Sequence, residues 1–152
     1  MNGDPGLRAA LLAAFLPTPI SHETVHAADA RWAGYDERDQ LSLLEGKSWN
    51  ELTPDVLERH AGLLVHTGNA LYRAILPAYL QLLAEGDYAT ILPFHVVSQL
   101  TCNPESKLDR EIFEERAGPM SAEQRAVVRR ALTVIAKQTL LHDVASTAIR
   151  SW

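Results

Sequence analysis

The sequence predicts an all-α, single-domain compact helical bundle spanning residues 1–152, with about six to seven helices around a proline-kinked central one. Three observations predict it. Apolar residues recur at spacings of three and four along most of the chain, capping signals precede several of those runs, and the eight glycines fall at run ends or turns. A chain of 152 residues that is 47% hydrophobic and 22% charged suits one core, because folding at that length buries about 68–70% of the surface the extended chain exposes.

Asp4-Pro5 reads as the first helix start, a capping oxygen followed by a ring that fixes φ where the amide would be unpaired anyway. Leu7, Leu11, Leu12 and Phe15 then share one face, and Pro17 and Pro19 end the helix because each ring excludes its predecessor from the α region. From Ser21 to Trp32 the pattern is weakly helical through Val25, Ala28 and Trp32, and Gly34 interrupts it. Leu41, Leu43 and Leu44 form a short element that Gly46 closes as a left-handed cap.

Thr53-Pro54-Asp55 opens the next helix by the same cap-then-proline logic, with Trp49 or Leu52 stapling the entering chain. Val56, Leu57, Leu64 and Val65 give its apolar side, up to a break at Thr67-Gly68. Asn69 can cap a longer helix whose core face is Leu71, Tyr72, Ile75, Leu76, Tyr79, Leu80 and Leu83, ending at Gly86. Pro77 lies inside it. An internal proline costs about 3 kcal/mol through a lost hydrogen bond and a ring clash, so the burial of those seven side chains must outweigh it, and a kink is expected.

Residues 88–100 suit either a strand, by their β-branched and aromatic content, or a short helix interrupted at Pro93; the spacing favours the helix. Cys102 to Ser106 reads as a loop, and a charged helix around Phe113 ends at Gly118-Pro119. Ser121 and Gln124 form a capping box that opens the last helix. Its apolar residues Val128, Leu132, Ile135 and Ala136 extend toward Val144, Ile149 and Trp152.

The net charge of −5 is spread over short mixed runs. Arg125, Arg129 and Arg130 come nearest to a basic face, but Glu123 beside them marks a solvated helix surface, so no nucleic acid is expected as a partner. Cys102 is the one cysteine and cannot form an internal disulfide, which fits a reducing, cytoplasmic compartment. The apolar stretch from Ala9 to Leu16 has the length of a signal-peptide core, but Asp4 precedes it and prolines follow it. No run reaches the eighteen or so apolar residues of a membrane span.

One motif carries metal chemistry. His22-Glu23-Thr24-Val25-His26 matches H-E-x-x-H, in which two histidines one helical turn apart hold Zn²⁺ and the glutamate activates water. Pro17 and Pro19 leave little helix ahead of His22. Where a third histidine would be expected the chain has Asp29 and Trp32, and a carboxylate ligand would have to be Glu45 or a neighbour. The alternative is a pair of surface histidines on a short helix. His60, His66, His95 and His142 are scattered, and His95, between Phe94 and Val96, is expected to pack with one ring nitrogen satisfied. Nucleophilic catalysis has little support, since Cys102 has no histidine near it in sequence and neither Ser98 nor Ser106 sits in an elbow motif.

Gly46-Lys47-Ser48-Trp49-Asn50-Glu51-Leu52, then Tyr72 before Leu76-Pro77-Ala78-Tyr79-Leu80, then the run from Ser121 through Gln124 to Val128, resemble a family of small uncharacterised bacterial domains. Those domains share W-x-E-L, L-P-A-Y-L and S/T-x-E-Q-R-x-x-V motifs. The resemblance covers roughly residues 10 to 138 and implies a fold more than an activity, because Trp49, Glu51, Leu52, Tyr72, Pro77, Tyr79, Ser121 and Gln124 are structural in character. Some members carry cysteines and acidic residues where this chain has His26, Asp29, Asp36 and Glu37.

These readings favour a non-enzymatic protein-binding module of bacterial origin, without a cofactor, resembling an immunity protein or antitoxin that blocks a basic toxin or effector. The alternative is a zinc-dependent hydrolase with His22 and His26 as ligands and Glu23 as base.

Overall fold

The computed structural model describes residues 4–26, 42–59, 68–86, 88 and 92–152, with the side chains at positions 92, 93 and 95 left aside. Among the described residues every regular element is helical. In chain order they are α1 (Leu7–Ala14), α2 (His22–His26), a 3-10 turn at Ser42–Leu44, another at Trp49–Glu51, α3 (Pro54–Arg59), α4 (Asn69–Glu85), α5 (Leu92–Gln99), α6 (Lys107–Ala117), α7 (Ala122–Ile135), a third 3-10 turn at Thr139–Leu141 and α8 (His142–Ile149). The protein is all-α. Expectations for Ala28, Trp32, Gly34, His60, Leu64, Val65, His66 and the His95 side chain lie outside the described residues.

The central helix is α4. All seven side chains assigned to its core face are at most 1% exposed, and Pro77, Ala78, Leu82 and Ala84 are buried with them. Full burial of a large apolar side chain stabilises by about 1.5–3 kcal/mol, so seven of them exceed the roughly 3 kcal/mol cost of Pro77 several-fold. Helix α4 stays continuous through the proline as a result. It packs on α7 and also meets α1, α2, α3, α6 and the 3-10 turn at Trp49. A single cluster of buried side chains runs from Leu7 to Ala148.

Polar side chains lock these packings at helix ends. The Tyr79 hydroxyl donates to the Leu57 carbonyl at 2.7 Å, and burial pushes the phenol well above its ordinary range, so the group stays a donor. The Trp49 indole donates to the Phe15 carbonyl at 2.7 Å. Ser121 and Gln124 form the expected box, Gln124 N–H to Ser121 Oγ at 3.1 Å and Ser121 N–H to Gln124 Oε1 at 3.0 Å. The Gln124 amide also donates to the Ala14 carbonyl at 3.0 Å, so one residue starts α7 and satisfies the end of α1.

Several boundaries differ from the sequence reading. Asp4 does accept an amide, that of Gly6 at 2.9 Å, but α1 begins at Leu7, so Pro5 lies in the preceding turn instead of the first helical position. Asn69 is helical and Gly68 takes the cap position, because the extended φ −60°, ψ 155° falls at the glycine. The Asn69 side chain is used elsewhere, donating to Glu115 at 3.1 Å. Segment 92–99 is helical, with Pro93 in the first turn of α5, where a missing N–H is harmless.

The last helix does not run on to Trp152. It ends at Ile135, turns through Thr139–Leu141 and returns as α8 against α7 and α5. A straight continuation would carry Leu141, Ala145 and Ala148 away from the core, whereas the fold-back leaves each fully buried. Two side chains secure the turn. A ring nitrogen of His142 lies 2.8 Å from the Ala136 carbonyl, and Gln138 donates to the Leu83 carbonyl at 2.7 Å while accepting from the Tyr88 hydroxyl.

The start of the chain is tied to α7 by a two-pronged ion pair, Arg130 Nε and Nη2 to the Asp4 carboxylate at 2.7 and 2.8 Å. The hydrogen bond from Arg130 holds the Asp4 carboxyl below its ordinary value of 3.8. A carboxyl depressed in the folded state stabilises fully above that ordinary value and loses its contribution as pH falls through the folded one. The melting temperatures of the wild type and an Asp4→Asn variant are therefore expected to differ at neutral pH and to converge by about pH 2. A pH-independent difference would show that the carboxylate charge has no part in the pairing.

Candidate metal centre

Sequence places His22 and His26 one turn apart, and α2 turns them to the same side. Their ring centroids are 4.2 Å apart at 48°. The helix is anchored by Val25, 2% exposed, which packs it toward α4. Ser21 starts it, with its hydroxyl accepting the Thr24 amide at 3.1 Å, so a short capped turn suffices despite Pro17 and Pro19 upstream.

Glu45 completes the group. Ile20 donates to the Lys47 carbonyl at 2.9 Å and accepts from the Gly46 amide at 2.8 Å, a reciprocal backbone pair that draws the 45–47 turn beside the start of α2. Gly46 makes the turn possible with φ +78°, the left-handed conformation expected of it from the sequence. Leu44, 1% exposed, fixes the other side of the turn. The outcome is a His22 Nδ1 to Glu45 Oε2 contact of 3.1 Å.

One donor atom from each of His22, His26 and Glu45 lies within 4.8 Å of the other two. Tetrahedral zinc with bonds of about 2.0–2.2 Å places its ligand atoms roughly 3.3–3.5 Å apart. The His22–Glu45 pair, at 3.1 Å, lies slightly inside that spacing, so small side-chain rotations would be needed to open it and to bring in the half-buried His26. Glu23 is exposed on α2 beside His22 and is not among the three clustered donors.

The remaining residues singled out in the sequence are structural. Trp49 is 4% and Leu52 9% exposed, and Glu51 accepts the Ser48 amide at 2.7 Å, so the W-x-E-L segment is a self-capped turn against α4. Tyr72, Pro77 and Tyr79 lie in the core, and Ser121 and Gln124 serve the cap. Cys102 is half-buried, and burial together with Asp109 pushes its thiol above the ordinary value, which disfavours a nucleophilic thiolate. Exposed Leu16, Leu43, Phe94, Leu108 and Leu140 sit on five different segments. No helix among the described residues is long and apolar enough to cross a membrane.

Comparison of the chain with protein-family models, with curated proteins and with solved structures finds no match.

Gly46 offers a direct check on the turn that delivers Glu45. A Cβ at position 46 would meet nothing within 4 Å, so Gly46→Ala costs only the left-handed conformation, about 1–2 kcal/mol. Urea denaturation should show a loss of that size. Unchanged stability would mean that the turn is not held in the left-handed region.

Proposed function

We propose that this chain is a zinc-binding protein whose ion is held by His22, His26 and Glu45 at a solvent-accessible centre suited to hydrolysis. The observation that carries this reading is the arrival of Glu45, from a separate turn of the chain, beside two histidines already paired on α2. Two imidazoles and a carboxylate suit zinc by ligand class. Three protein ligands also leave the fourth tetrahedral position to water, as in catalytic zinc sites.

Exposure supports the same reading. The side chains of His22 and Glu45 are 72% and 38% exposed, so solvent and substrate can reach the ion. When bound, zinc lowers the pKa of its water toward neutrality and polarises a carbonyl or phosphoryl oxygen. Within this proposal His22, His26 and Glu45 would hold the ion, with Glu45 offsetting part of its charge, and Glu23 would serve as the base that accepts a proton from water.

Zinc content after dialysis of untagged protein tests the proposal. The wild type is expected to retain about one zinc per chain, and His22→Ala and Glu45→Gln, each lacking one of the three ligands, to lose it on dialysis, with helical circular dichroism unchanged in all three. Hydrolysis of p-nitrophenyl acetate by the zinc form should fall in Glu23→Gln while the zinc stays bound. Zinc retention without Glu23-dependent hydrolysis would overturn the hydrolytic role, and absence of stoichiometric zinc would overturn the whole reading.

A further inference from the structure

The proline inside α4 frees a backbone acceptor. A helical carbonyl accepts from the amide four residues on, and for Arg73 that residue is Pro77, which has no N–H to give. Among the described residues no side chain replaces the missing donor, and the hydrogen bond that Arg73 makes across the fold runs from its guanidinium to the Glu115 carbonyl at 3.0 Å. A backbone oxygen without its helical donor is free to accept from another group. Arg73 and Pro77 both line a cavity of about 490 Å³ between the end of α1, the Trp49 turn, α4 and the connection from α6 to α7. The ring of a helical proline lies against the carbonyl four residues earlier, so the Arg73 oxygen is on the side of α4 where Pro77 meets this cavity.

The rest of the described wall is apolar or already engaged. Phe15, Trp49 and Met120 are each at most 6% exposed, and Leu16, 74% exposed, stands at the mouth. The Trp49 indole donates to the Phe15 carbonyl, and the Thr18 hydroxyl donates to the Leu16 carbonyl at 3.2 Å. Gln124 is divided between the Ser121 amide and the Ala14 carbonyl. The Arg73 oxygen is therefore an acceptor in want of a donor, set beside aromatic, thioether and proline groups. The Arg73 guanidinium on the same wall disfavours a cationic donor, so an uncharged one suits the site.

We propose that this cavity binds a small uncharged phenol, with its hydroxyl donating to the Arg73 carbonyl and its ring against Trp49, Pro77 and Met120. The volume lies within the range of ligand pockets. A thioether and an aromatic ring attract each other, which suits Met120 to the ring of the occupant. A phenolic hydroxyl keeps its proton at neutral pH and so donates without bringing a charge into the site. The described wall shares no residue with the proposed zinc centre, and the site does not depend on it.

The pair 4-propylphenol and its methyl ether, 4-propylanisole, separates donation of a hydrogen bond from simple burial of a ring. Titrated calorimetrically into the full chain, the phenol is expected to bind about fivefold more tightly than the ether, the worth of one neutral hydrogen bond. Pro77→Ala supplies the missing amide to the Arg73 carbonyl and should bring the phenol down to the affinity of the ether. Because Pro77 is buried, Ala70→Phe gives a second variant: it fills the cavity from an exposed position in the first turn of α4 and should weaken both ligands with circular dichroism unchanged. Equal affinity of the wild type for phenol and ether, or absence of saturable binding, would overturn the proposal. A preference for the phenol that survives in a folded Pro77→Ala, or undiminished binding to a folded Ala70→Phe, would overturn it as well.

Discussion

The packing of α4 on α7 is the constraint on which the rest of the molecule depends. It is unusual in placing a proline at the middle of the most buried helix. The hydrogen bond lost at Pro77 is local, whereas the apolar burial around it extends from Leu71 to Leu83, so the sum over the helix decides the outcome. Most of the other described elements are positioned against this pair. Helix α1 lies across both, α8 folds back onto α7, and the turn at Trp49 closes on α4.

Both proposed sites are consequences of that frame. The proposed metal ligands sit at the ends of segments whose neighbours are buried: Val25 between the two histidines, and Leu44 directly before Glu45. Buried anchors fix the backbone while the ligands remain accessible. The cavity beside Pro77 follows a different logic. The proline that the burial of α4 outweighs is also the residue that withholds an amide from the Arg73 carbonyl, and both residues line the cavity.

Much of the fold was legible because its signals are local. The seven core positions of α4, the Ser121–Gln124 box, the left-handed Gly46 and the end of α4 at Gly86 follow from periodicity and cap chemistry, and all are present. The fold-back after Ile135 was not legible, since α8 continues the apolar spacing of α7 and only the burial of Leu141, Ala145 and Ala148 decides its direction. The candidate metal site was half legible. The two histidines are spaced by helix geometry, which a sequence displays, but Glu45 is delivered by the Ile20 backbone pairing with residues 46 and 47, which it does not. The lost hydrogen bond at Pro77 was legible in the same way, but the cavity beside it was not, because Phe15, Trp49 and Met120 reach its wall from segments distant in sequence.

Native-state hydrogen exchange tests the central claim most directly, because it reads the opening free energy of each helix separately. If the α4–α7 packing carries the fold, amides from Leu76 to Leu83 and from Val128 to Ile135 should exchange only through global unfolding, with one shared free energy, while α2 and α6 open at lower cost. Exchange of the α4 amides following Pro77 by an independent, lower-energy opening would contradict the account, since it would show that the proline divides the helix and that burial does not hold it together.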